Sequence, residues 1–143
     1  MLIEAQRRLS STSRILALVT IVAVGCADGA PSVAPVQGKV TFNGQPLTTG
    51  RVMTMPAAGR GAGGEIKRDG TFELTTPDYG DGAIPGAHKV AVRAFDESGA
   101  TDPEFASGKS LIPARYANPM TSGLMIEVTA DGENAPTLEL TSP

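Results

Sequence analysis

The residues able to do chemistry in this chain are few. One histidine, His88, and one cysteine, Cys26, are the only side chains of their types in 143 residues. Base-assisted hydrolysis would need His88 beside a Ser or Cys nucleophile, with a third group orienting the imidazole. No G-x-S-x-G stretch is present, and H-K-V-A-V puts His88 on the same side as Val90 and Val92. A half-buried strand histidine, hydrogen-bonded to backbone, is the expectation; a small hydrolase using His88 is an alternative. One Cys with one His cannot form a structural zinc site, and a single thiol closes no internal disulfide. Gly108-Lys109-Ser110 matches the end of a phosphate-binding loop, but the motif G-x-x-x-x-G-K-[ST] needs glycine where Pro103 stands. Asp69, Asp78 and Asp81 are oxygen donors of the kind Ca²⁺ takes, yet their spacing departs from D-x-[DN]-x-[DN]-G. Asp69-Gly70 is turn chemistry, which leaves Asp78 and Asp81 as weak calcium candidates. No other metal site and no cofactor is expected.

Cys26 has a different setting. It ends the apolar run I-L-A-L-V-T-I-V-A-V-G-C, which follows Arg7, Arg8 and Arg14. Ile15 to Val24 would rise only about 15 Å as a helix, half of a hydrocarbon core of about 30 Å, so the run reads as a signal peptide rather than a span. Ala23, Val24 and Gly25 before Cys26 resemble a bacterial lipobox, although the usual leucine three places before the cysteine is Ala23. That resemblance implies a thioether-linked diacylglycerol on Cys26, acylation such as palmitate, and cleavage that makes Cys26 the first residue. Two acyl chains hold a protein on a membrane without a spanning helix. The expected organisation is a signal peptide over 1–25, a Gly/Pro/Ala/Ser tether over 26–35, and one domain over 36–143. Ordinary secretion is the alternative.

Composition narrows the partners. Removal of the leader takes Arg7, Arg8, Arg14 and Glu4 with it, and the formal charge moves from −3 to −5. No Lys/Arg cluster remains to neutralise phosphates, so nucleic acid is not an expected partner. The polar stretch from Asp96 to Ser110 carries Asp96, Glu97, Asp102 and Glu104, with Phe95 and Phe105 beside them. Loops on rigid scaffolds are where binding concentrates, so these six residues are candidates for partner contact.

The elements that must position these groups are strands. Val36, Gly38, Val40 and Phe42 alternate with Gln37, Lys39 and Thr41, and Asn43-Gly44 suits a two-residue type I′ turn. The return strand runs to Met55, and its register stays open: Val52 and Thr54 face one way, Met53 and Met55 the other. Ile66 before the Asp69-Gly70 turn and Phe72 and Leu74 after it are spaced to share one side. Thr75 to Gly86 is rich in Pro, Gly and Asp and is expected to lack regular structure. His88, Val90, Val92 and Ala94 line one face of the longest strand. Leu124, Ile126 and Val128, then Leu138 and Leu140, complete the pattern. Seven short strands between turn signals predict an all-β, antiparallel β-sandwich.

V-Q-G-K-V-T-F-N-G-Q-P-L, I-K-R-D-G-T-F-E-L and I-P-G-A-H-K-V-A-V together resemble the carboxypeptidase regulatory-like (transthyretin-like, prealbumin-like) β-sandwich family. I-P-A-R-Y-A-N-P and T-S-G-L-M-I-E-V extend the likeness to short bacterial envelope lipoproteins carrying one such domain. The resemblance implies a seven-stranded Greek-key sandwich of non-catalytic character and transfers no catalytic residue. Two departures stand out: Thr54 where a large apolar residue is common, and His88 where Tyr is frequent. The expected function is therefore a membrane-anchored envelope lipoprotein, periplasmic or outward-facing. Its domain would be a binding or scaffolding module for envelope protein or glycan. A carbohydrate-binding module is a further alternative, although six aromatic residues are few for stacking sugars.

Overall fold

The computed structural model describes residues 32–96 and 108–143. Among them the chain is all-β, with two sheets and one short 3-10 turn at Ala114–Ala117. The strands are β1 (Gln37–Phe42), β2 (Gln45–Pro46), β3 (Arg51–Pro56), β4 (Gly63–Glu65), β5 (Thr71–Glu73), β6 (Thr75–Thr76), β7 (Gly80–Asp81), β8 (Gly86–Arg93), β9 (Leu124–Val128) and β10 (Thr137–Leu140). In the smaller sheet β1 is central, with β10 on one side and β2 and β5 in tandem on the other. The larger sheet runs β7-β6-β4-β3-β8-β9.

Two expectations change. Ten strands form rather than seven: the expected return strand breaks into β2 and β3, which join different sheets, and β6 and β7 were not foreseen; β2, β6 and β7 are each two residues long. Thr75 to Gly86 thus holds a small hairpin, made possible by positive φ at Asp78 (69°) and Gly80 (100°). The pairing is also not wholly antiparallel, because β1 and β10 run parallel with Lys39 opposite Thr137 and Phe42 opposite Leu140. A parallel neighbour requires a long crossover, and here nearly the whole domain supplies it.

Local chemistry explains the turns. Asn43 (φ 50°) and Gly44 (φ 81°) both take the left-handed conformation that a type I′ turn needs, closing β1 onto β2. The Lys67–Gly70 turn is closed by the pair Ile66 and Phe72, and Asp69 Oδ1 accepts from Thr71 N (3.0 Å) and Thr71 Oγ1 (2.6 Å). Those bonds, the hydroxyl's first, hold the Asp69 carboxyl below its ordinary value of 3.8. A carboxylate favoured in the folded state contributes stability above the ordinary value and loses it as pH falls through the lower folded value. The midpoint of urea unfolding is therefore expected to fall between about pH 5 and about pH 2 less in Asp69→Ala than in the native chain.

β5 and β6 are one extended stretch that changes sheet. Thr71–Glu73 pairs with β1, and two residues later Thr75 pairs with Gly63 of β4. The crossing brings two backbones together: a Cβ on Gly64 would lie 2.0 Å from Glu73 O. Only glycine fits there.

A single apolar core takes Val40, Phe72, Leu138 and Leu140 from the smaller sheet and Val52, Val90, Val92, Ile126 and Val128 from the larger. Ala34, at the end of the stretch expected as tether, is also buried and pairs with Ala83. The open register of β3 resolves with Val52 and Thr54 inward, while Met55 stays 41% exposed. β8 is the longest strand and lies between β3 and β9, so its inward face is fully covered. Tyr116, from I-P-A-R-Y-A-N-P, is buried in the 3-10 turn, and its hydroxyl accepts from Thr141 N at 2.9 Å. That contact ties the turn to the chain leaving β10.

Candidate functional site

His88 is fully buried, not half-buried, and both its ring nitrogens are engaged. Nε2 donates to Ile84 O at 2.6 Å; a carbonyl can only accept, so Nε2 carries the proton. Nδ1 then lies as an acceptor 3.2 Å from the Thr54 hydroxyl, whose single proton also has Ala62 O within reach at 3.3 Å. Thr54 Oγ1 in turn accepts from Ala62 N at 3.0 Å. The two positions that depart from the resemblance are thus diagonal neighbours across β3 and β8, joined by a hydrogen bond. A hydroxyl against an imidazole has the composition of a nucleophile and base. Here Thr54 is 6% exposed and His88 0%, so no substrate atom reaches the pair. It joins β3, β8 and the Ala62 loop in the core.

The remaining candidates are dispersed. Asp78 pairs with Arg60 Nη1 at 2.8 Å, and Asp81 Oδ1 accepts from Thr75 Oγ1 at 3.2 Å. Among the described residues no group of three or more His, Cys, Asp or Glu side chains is placed to hold a metal ion. Phe95 is 40% exposed and Asp96 is exposed. Phe95 pairs with Ser110, and Asp96 N donates to Lys109 O at 3.0 Å, so the two ends of the acidic stretch are drawn together. Lys109 and Ser110 sit at that closure, with no helix following them as a phosphate-binding loop requires. Glu97, Asp102, Glu104 and Phe105 lie outside the described residues, as does Cys26. Among the described residues no helix is long and apolar enough to cross a membrane.

The outward face of the larger sheet carries groups that the sequence reading passed over. Register sets them in rows: Glu65, Arg51 and Arg93 across β4, β3 and β8, then Met53 beside Ala91, then Met55, Lys89 and Met125. Met125 is 64% exposed, and Met120, 63% exposed, accepts from Lys89 Nζ at 3.5 Å. Four methionines and three cations therefore share one face. The signal was the period-two alternation of Arg51, Met53 and Met55 and of Lys89 and Arg93, but which strands lie side by side is not written in the alternation. Around Arg51 and Arg93 the face deepens into a groove of about 500 Å³, walled by Thr49, Gly50, Met53, Ile66 and Phe95.

Comparison with protein-family models, with curated proteins and with solved structures finds no match to this chain.

Proposed function

We propose that this protein is an envelope lipoprotein, anchored in a membrane by lipid on Cys26, whose all-β body is a non-catalytic binding or scaffolding module. The body is read as a Greek-key sandwich of the carboxypeptidase regulatory-like kind, with β2, β6 and β7 as short additions to seven principal strands. Residues 1–25 are the leader removed on export. The observation that carries the reading is the closeness of the cysteine to the fold: only residues 27–33 separate Cys26 from Ala34, the first buried residue among those described. A lipid at that point holds the domain within a short tether's length of the bilayer. His88, sealed in the core with both nitrogens engaged, weighs against the hydrolase alternative. Among the described aromatics Phe72 and Tyr116 are buried and Phe42 and Tyr79 half-buried, so Phe95 alone is exposed for stacking a sugar, which favours contact with protein.

Crosslinking in native envelopes, followed by mass spectrometry, tests this function. A discrete set of envelope proteins is expected from the native chain and is lost in Cys26→Ser, which leaves the domain unanchored. Crosslinks unchanged in Cys26→Ser would remove the anchor from the function, and absence of any crosslinked protein would remove the binding role.

A further inference from the structure

We propose that the groove over β3 and β8 is a binding site for a monocarboxylate that carries an apolar body. Arg51 and Arg93 are directly opposed in the sheet register, which puts their Cβ atoms about 5 Å apart. Like charges so placed repel, and that repulsion is unfavourable for the fold. Neither arginine forms an ion pair among the described residues, where the pairs are Arg60 with Asp78 and Lys67 with Glu73. Glu65 is the neighbour of Arg51 across β4, but the Arg51 guanidinium instead lies over Gly63. Its Nη2 is 3.4 Å from where a Cβ on Gly63 would stand.

The groove is shaped in advance of a ligand. Gly50, at φ 124°, presses against β8 so closely that a Cβ would lie 2.4 Å from Arg93 O. Its carbonyl accepts from Ile66 N at 2.9 Å. These contacts fix the part of the lining that Gly50 and Ile66 provide. Arg51 and Arg93 both line the groove and can supply forked donors that match a carboxylate, and Met53 and Phe95 supply apolar surface beside them. Glu65 on the rim reduces the local charge of the three groups to +1, which suits a monoanion better than a dianion. The groove also lies at the far end of β8 from Ala34. Ala34 enters beside Ala83, before β8 begins at Gly86, whereas Arg93 ends β8 about 24 Å further along.

This inference rests on the reading of the domain as a binding module and names its ligand class; it does not depend on the lipid. The test uses the full chain in a non-ionic detergent, with ¹³C-methyl-labelled methionines assigned by single Met→Leu replacements. Phenylacetate is the probe, and acetate and inorganic phosphate are the comparisons. The Met53 methyl is expected to shift saturably with phenylacetate, while Met120 and Met125 hold still and report that the fold is intact. Kd is expected to rise about tenfold or more in Arg51→Gln and in Arg93→Gln, the loss of one charge-assisted contact. Phe95→Ser should weaken phenylacetate and leave acetate unchanged. A Met53 methyl that does not move, a Kd unchanged in both arginine variants, or phosphate binding as tightly as phenylacetate would overturn the proposal. Failure here leaves the envelope crosslinks in place, whereas failure of the binding role removes those and leaves the Met53 shift.

Discussion

Gly38→Ala is expected to cost the fold about 3 kcal/mol, a large part of the 5–15 kcal/mol that holds a typical domain together. Gly38 sits in β1 opposite Phe72 of β5, and the ring lies across it. A Cβ would stand 2.4 Å from Phe72 Cζ, 2.6 Å from Phe72 Cε1 and 2.6 Å from Pro136 O. The first two contacts could ease only if a fully buried ring left its place in the core. The third is backbone and cannot swing aside. Urea unfolding should show the loss as a lower midpoint with little change in slope. Phe72→Leu in the Gly38→Ala background should not restore native stability, because the Pro136 carbonyl still obstructs. A Gly38→Ala protein as stable as the native chain would mean that β1 and β5 do not pack in this register.

His88→Ala is the second large effect, about 3 kcal/mol. It removes an imidazole with no exposed surface, strips Ile84 O and Thr54 Oγ1 of a partner, and leaves a cavity between the sheets. Thr54→Val keeps the shape but deprives Ala62 N and His88 Nδ1 of their partner, at about 2 kcal/mol. Because the side chains touch, the two losses should not add: a double-mutant cycle should return a coupling of about 1 kcal/mol. Simple additivity would show that the contact contributes nothing. A catalytic histidine would behave otherwise, since removing it abolishes turnover and spares the fold.

What could be read in the residues was mostly local. Asn43-Gly44 and Asp69-Gly70 fix their turns through backbone conformations that few residues adopt, so both hairpins were legible. Val36, Gly38 and Val40 marked the buried face of β1 because the opposite residues are plainly polar. β3 offered no such contrast, since methionine on its outward face is as apolar as valine on the inward one. The parallel pairing of β1 with β10 joins the two ends of the domain, and no nearby residue announces it. β6 and β7 are two-residue pairings that rest on Asp78 and Gly80 in positive φ rather than on a hydrophobic pattern.

The candidate sites divide along the same line. Thr54 and His88 were each legible as oddities, but their contact depends on β3 lying beside β8 in one register. The pairing of Arg51 with Arg93 depends on that register too, so the groove became visible only in three dimensions. Cys26 needed no fold to be noticed, because its meaning lies in the order of charge, grease and small residues before it.

The claim on which the functional reading depends is that Cys26 becomes the lipid-bearing first residue. Mass spectrometry of the N-terminal peptide from protein isolated out of native membranes tests it most directly. The expected result is a peptide beginning at Cys26 whose mass exceeds the bare sequence by a diacylglycerol. A mature chain that begins elsewhere, or at Cys26 with a free thiol, would contradict it.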